Sequence, residues 1–596
     1  MRWQKAQLDR ATACGLGLLA LLALWATERA VGYTRDESVY FAAGESYARW
    51  WTVLTANPAQ ALSDASIVHF YGFNREHPVL MKTLFGLSHQ LFHRQLGWVG
   101  AGTAFRIPAL AAAALIPALL YAWGRRLFGR IAALFAALCF LLVPRHYFNA
   151  ELACFDMPIA ALWLLTVYAF WRAQETDWGW LACGVAFGVA LGTKHNALFL
   201  PFTLAPFGAW AAWRETRDLP VARRQVWLIG AATLGFAAAY ATWAAVLGLP
   251  RFQQTFGPLS VQALLPLAWA VGALGLLLRL RRESVPAFRA LAPLWAMACV
   301  GPLLFYVHWP YLWHHPVDRT AWYLAFHARH NHYAWFYLGE LLRRPPFPLA
   351  YVGVKTALTV PLPIFVPMVT GLGALLARLF WPGRRPAWGE LLVGVNALAS
   401  MAIISHPNVP HFGGVKHWLP SMPFLALLAG HAVSRALAPR PTRAWAQVAT
   451  AGAAFAALLG PAVIGLLRIH PYGTSFYSEM AGGVPGAASL GMQRQFWSNN
   501  VTGVLPWINQ SAPRGARLYL HEVNGYSFRD YQRNGQLRAD LLPASGPRDA
   551  DLAAYQYHQE FREQEFEIWN AFGTQRPVHG LYVDETPQVV VYRRTP

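Results

Sequence analysis

Long apolar runs separated by short basic clusters restrict this chain to folds that a bilayer can hold. We read about 13 runs able to cross, or to sit as tilted or broken helices. They lie at approximately 11–31, 102–123, 128–144, 154–172, 178–192, 196–213, 226–248, 260–280, 288–307, 349–380, 389–405, 418–437 and 446–467. The short pair 178–192 and 196–213 is split by Gly192-Thr193-Lys194-His195-Asn196, and 250–262 reads as a re-entrant segment. Only 13% of the residues are charged, roughly half the share of a soluble domain.

The net charge of +20 does not point to nucleic acid, because the basic residues sit in the gaps between apolar runs. Arg2, Lys5 and Arg10 come first, then Arg125, Arg126 and Arg130, and then Arg172. Later clusters fall at 214–224, 279–289, 378–385 and 435–443. With the N-terminus inside, alternating spans put every cluster in the cytoplasm, as the positive-inside rule requires. The sequence therefore predicts a multi-pass protein of the plasma (inner) membrane. Its transmembrane domain covers 1–467, and a C-terminal domain, 468–596, lies in the periplasm or outside the cell. The first run reads as a retained helix rather than a cleaved signal.

Cys14, Cys139, Cys154, Cys183 and Cys299 lie in or beside apolar runs without C-x-x-C spacing, and read as small core residues. Lysine is scarce: Lys5, Lys82, Lys194, Lys355 and Lys416 are the only five. The last four fall at expected outer-face boundaries, where a compact ammonium suits either phosphate binding or snorkelling to the interface.

Immediately beyond the first apolar run, Gly32-Tyr33-Thr34-Arg35-Asp36-Glu37 sets two carboxylates at the hydrocarbon boundary, where lost solvation needs compensation. Asp156 opens another span in the same way. The first outer segment, 32–101, adds Glu76, His77 and Lys82, with an interfacial helix expected over 79–92. The second, 308–348, carries six histidines including His330, and also Arg343; the third, 406–418, carries His411 and Lys416. In the tail, Ala516–Leu520 and Gln588–Tyr592 read as strands and Asp551–Phe572 as a helix, giving a small α/β domain. The glycine-rich stretch 481–487 reads as a loop. Acids and bases gathered on one side suit transfer from a glycosyl phosphate. One carboxylate takes the acceptor's proton while cations hold the departing phosphate.

Asp36-Glu37 after the first helix, His77-Pro78 followed by Lys82, and Asp156 at the start of a span resemble the protein O-mannosyltransferase and lipid A aminoarabinose transferase superfamily. Gly129 and Pro144 add to the resemblance, which is strongest over 32–170. It implies an all-α polytopic GT-C fold and a polyprenyl-phosphate-linked sugar as donor. The acceptor would be a lipid, glycan or protein at the outer face. By the same resemblance Asp36 is the catalytic base, Glu37 and Asp156 are acidic site residues, and Lys82 contacts the lipid phosphate. Glu76, His77, His330, Arg343, His411 and Lys416 complete the expected substrate-binding set. The family's His-Pro-Pro pattern is His77-Pro78-Val79 here, and Met81 replaces the glycine before the lysine. Some relatives bind a divalent metal, so zinc or manganese is a possible cofactor, although no short-spaced ligand motif is present. The alternative reading is a transporter or flippase of a lipid-linked or anionic substrate.

Overall fold

The computed structural model describes residues 2–594 except for 177, most of 219–287, 330–331, 382–384, 412 and 439–442. The expected spans 226–248 and 260–280, and the re-entrant segment 250–262, lie wholly or mostly outside the described residues.

The chain starts with α1 (Arg2–Thr27), α2 (Arg35–Ala56) and α3 (Leu80–Ser88). Then come α4 (Ala101–Leu127), α5 (Arg130–Leu142), α6 (Pro144–Ala150), α7 (Asp156–Ala173), α8 (Gly179–Thr193) and α9 (Leu200–Thr216). After α10 (Phe288–Val307) a hairpin of β1 (Trp335–Tyr337) and β2 (Glu340–Leu342) leads to α11 (Tyr351–Thr359) and α12 (Leu362–Phe380). The helical body ends with α13 (Trp388–Ile404), α14 (Met422–Ala436) and α15 (Ala444–Ile469). Among the described residues α1, α4, α10, α12 and α15 are long and apolar enough to cross a bilayer, and the pair α5–α6 makes a sixth if taken as one broken span.

These helices fall into two kinds. In α4 the apolar window is 67% buried, whereas in α1 and α15 it is 22% and 17%. Leu18, Leu19, Leu22, Val448 and Leu467 all face outward, an arrangement that lipid stabilises and water does not. The buried helix α4 packs against α1, α5 and α7 and forms the centre of the body.

Several expected runs are broken, each at an identifiable residue. The single run 349–380 is two helices, because Pro361 and Pro363 remove amide donors and keep Val360 extended. The run 128–144 ends at Val143, and α6 leaves α5 at 75° with Pro144 in its first turn. Lys194 is extended between α8 and a 3-10 turn at His195–Phe199, so this break projects polar side chains where two spans meet. The expected interfacial helix is α3 followed by a π-helical turn, His89–Gln95.

The tail forms a five-stranded sheet in the order β4-β3-β5-β7-β6, from β3 (Arg517–Leu520), β4 (Leu542–Pro543), β5 (Leu552–Gln556), β6 (His579–Val583) and β7 (Thr586–Arg593). β3 pairs in parallel with β4 and β5, while β7 is antiparallel to β5 and β6. Side chains alternate with period two. Leu552, Ala554, Val589 and Val591 join a core shared with Val31, Tyr33 and Phe105 of the helical body. Ala553, Tyr555, Val590 and Tyr592 pack instead with Ile568 and Phe572 of α17 (Glu563–Phe572), which follows α16 (Gly525–Arg533). The expected helix over 551–572 therefore begins as strand, over Leu552–Gln556, and is helical only from Glu563: pairing on both edges overrides the helix preference of Leu552-Ala553-Ala554. The expected loop 481–487 is a short helix, Gly483–Ser489, entered through Gly482 and Gly483 at φ 73° and 67°, a left-handed backbone that glycine adopts without strain.

Candidate active site between the helices and the tail

Local rules fix the start of α2. Thr34 Oγ1 accepts from Glu37 N at 3.1 Å, and the Glu37 carboxylate turns back to Thr34 N, forming a capping box. Glu37 is fully buried. Arg106 of α4 grips it with Nε and Nη2, both at 2.8 Å, and Ala153 N donates to it at 2.9 Å. Arg106 also reaches Glu28. Glu37 thus ties α2 to α4 and faces away from any open space, contrary to its expected place among the catalytic acids. A carboxylate opposite a buried guanidinium cannot be withdrawn without stranding the charge.

Asp36, one residue earlier, points the other way, into a cavity of about 1050 Å³. Its Oδ2 accepts from Trp497 Nε1 at 2.9 Å and lies 3.5 Å from Lys416 Nζ; Arg35 Nε is 3.9 Å from Oδ1. Lys416 stands over the rings of Trp497 and Phe496, at 4.4 and 4.9 Å from their centroids. Trp497 and Ser498 both have left-handed backbone, φ 79° and 66°, a strained conformation for non-glycine residues that places the indole against Asp36. The tail closes tightly here. A Cβ on Gly32 would come within 2.5 Å of Asn499 O. Glu522 pairs with Arg35 at 2.7 Å, and Trp497 O accepts from Arg35 N.

Around the same cavity stand Glu76, His77, Asp156, Lys194, His195, His327 and Arg329. Lys194 Nζ is 2.5 Å from Asp156 Oδ1. Glu76 accepts from Asn74, and its carbonyl lies 2.8 Å from His327 Nε2. His327 stacks on His195 with centroids 4.0 Å apart. His77 packs edge-on to Tyr40 and Phe155, and burial holds its ring well below the usual imidazole range, hence neutral.

The structure therefore brings Asp36, Glu76, His77, Asp156 and Lys416 together and excludes other expected members. Lys82 is wholly buried under α2, donating to Asn74 O, Asn74 Oδ1 and His77 O at 2.5–3.0 Å. The reason is the crossing of α2 and α3. A Cβ on Gly86 would lie 1.9 Å from Gly44 O, so the two backbones touch and seal the lysine beneath them. Lys82 clamps the Asn74–His77 loop instead of meeting phosphate. His411 is enclosed by Trp335, Phe347 and Tyr351, with Nε2 on Ile404 O. Arg343 is exposed and is not among the cavity-lining residues. His330 lies outside the described residues. Sequence reasoning missed Arg35, Trp497, His558 and Glu560. Only Arg35, adjacent to Asp36, carried a local signal.

Among the described residues no three His, Cys, Asp or Glu side chains gather so as to hold a metal ion. Asp36, Asp156 and Glu76 already accept from Trp497, Lys194 and Asn74 respectively. This donor set does not fit a divalent metal.

Residues 76–243 match the family model of dolichyl-phosphate-mannose-protein mannosyltransferases. Over that segment, less than a third of the chain, the sequence is similar to that family of membrane glycosyltransferases. The matched segment contains Glu76, His77, Asp156 and Lys194, while Asp36, Lys416 and the tail lie outside it. No curated protein matches the chain. Among solved structures, it is similar to ArnT from Cupriavidus metallidurans bound to undecaprenyl phosphate, at 15% identity and a TM-score of 0.45, covering 99% of this chain and 98% of that one. It is also similar to the oligosaccharyltransferase AglB from Archaeoglobus fulgidus in complex with an inhibitory peptide and a dolichol-phosphate. There the identity is 12% and the TM-score 0.43, over 90% of this chain and 65% of that one.

Proposed function

We propose that this protein is a GT-C glycosyltransferase that transfers a sugar, with inversion, from a polyprenyl-phosphate-linked donor to a lipid, glycan or protein acceptor at the outer face of the plasma membrane. The observation that carries this reading is Asp36: a partly exposed carboxylate lining a roomy cavity, 3.5 Å from Lys416, with Lys194 and Arg329 lining the same cavity. In the reaction the acceptor hydroxyl loses its proton to Asp36 as its oxygen attacks the anomeric carbon. The bond from that carbon to the phosphate oxygen breaks with its electron pair. The phosphate passes from a singly charged diester to a monoester of higher charge, which Lys416 and Lys194 stabilise. Asp156 holds Lys194 in place. The N-terminus is cytoplasmic in this reading, and the tail, 468–596, is an external domain that completes the site.

The test is Asp36→Asn in purified full-length protein, assayed for sugar transfer from undecaprenyl-phosphate hexoses to a cell-envelope extract. Loss of a general base lowers turnover by about 10²–10⁴-fold while binding of bare undecaprenyl phosphate survives. Near-normal turnover in the folded variant refutes the role of Asp36 as base.

A further inference from the structure

The tail side of the cavity holds a pair that this chemistry leaves idle. His558 and Glu560 both line it, each with a side chain only 4% exposed. Glu560 Oε1 accepts from Gln493 Nε2 at 2.7 Å and lies 3.7 Å from His558 Nδ1. Among the described residues, Glu560 Oε2 and both ring nitrogens of His558 have no hydrogen-bond partner. Buried polar atoms are rarely left so, and bulk water scarcely reaches these. Burial pushes the Glu560 carboxyl up to about 7 and holds His558 well below its usual range. Near neutral pH the imidazole is uncharged and the carboxyl about half protonated, so the pair both donates and accepts. Phe496 and Phe561 of the same wall add flat apolar faces. Lys194, Arg329 and Lys416 line the same cavity. A ligand that carries both a phosphate and neutral hydroxyls meets cations and this pair in one space.

We propose that His558 and Glu560 form a tail-borne subsite for the hydroxyl groups of a sugar. The inference rests on the transferase reading and adds to it the residues that read the sugar. The hydroxyls could belong to the donor sugar or to a sugar on the acceptor.

The test compares wild-type full-length protein in nanodiscs with His558→Phe and Glu560→Met. Both changes keep the volume; His558→Phe removes only unpartnered atoms, so its melting temperature should equal or exceed that of wild type, whereas Glu560→Met also takes the acceptor from Gln493 Nε2 and should melt lower by the cost of one stranded donor. Affinity is measured for bare undecaprenyl phosphate and for the same lipid bearing mannose or glucose. If the subsite reads the donor, the variants bind the sugar-bearing lipid about tenfold more weakly and bare lipid within about twofold of wild type. If it reads the acceptor, both lipids bind as in wild type, and half-saturation by a cell-envelope extract rises about tenfold at saturating donor. The proposal is overturned if neither quantity moves, or if the variants melt lower and lose both lipids equally. A wild type that fails to bind even bare undecaprenyl phosphate sinks the transferase reading itself, which is a separate result.

Discussion

Trp497→Phe isolates what the tail contributes to Asp36, the proposed base. The substitution keeps an aromatic ring beside Lys416 and deletes one N–H, the donor 2.9 Å from Asp36 Oδ2. A hydrogen bond to a charged group contributes about 1.5–3 kcal/mol, and here it fixes the orientation of the carboxylate that must meet the acceptor proton. If most of that contribution is felt in the transition state, turnover falls between about 10-fold and 100-fold. The Michaelis constant for the lipid donor should stay within about twofold, because the lysines proposed to hold phosphate are unchanged. Initial rates with an undecaprenyl-phosphate hexose, at varied donor and saturating extract, give both parameters. A melting curve checks that the fold persists. Turnover within twofold of wild type in a folded protein would refute the claim that the tail orients Asp36. A rise in donor half-saturation with unchanged turnover would assign Trp497 to lipid binding instead.

Other perturbations separate support from chemistry. Glu37→Gln leaves Arg106 with a lost charge partner inside the protein, so stability should drop by about 3 kcal/mol or more. Expression and melting temperature record the loss, while turnover per folded molecule falls far less than in Asp36→Asn. Lys82→Met frees the Asn74–His77 loop from its clamp; the donor Michaelis constant rises several-fold, with affinity for inorganic phosphate unchanged. Stability should also depend on pH in the tail. Burial pushes the Glu560 and Asp530 carboxyls up to about 7, so between roughly pH 4.5 and 7 the folded state keeps protons that the unfolded state has lost. Stability therefore declines as pH rises through that window, by on the order of 3 kcal/mol per group. Melting curves from pH 5 to 7.5 should show the decline, with a shallower slope in Glu560→Met.

What could be read from the sequence depended on how local its cause was. The exposed carboxylate at a span boundary was legible because a charge beside hydrocarbon has few physical excuses, and Asp36 does open into the cavity. Glu37 was misread although its cause was equally local: Thr34-Arg35-Asp36-Glu37 is a capping-box pattern, and a glutamate occupied in capping and pairing is not free for chemistry. Lys82 was placed at phosphate because its spacing from His77 was right. Its burial follows from the contact of Gly44 with Gly86 across two helices, which no single-helix pattern encodes. The partner of Asp36 lay further beyond reach. Trp497 is 461 residues away and is turned inward by two consecutive left-handed residues, neither of them the glycine that advertises such a turn. The helical body thus presents Asp36, the proposed base, and a distant strained turn in the tail sets its orientation. A chain truncated near residue 470 would keep Asp36 and Lys416 yet lose that indole, and with it most of the transfer rate.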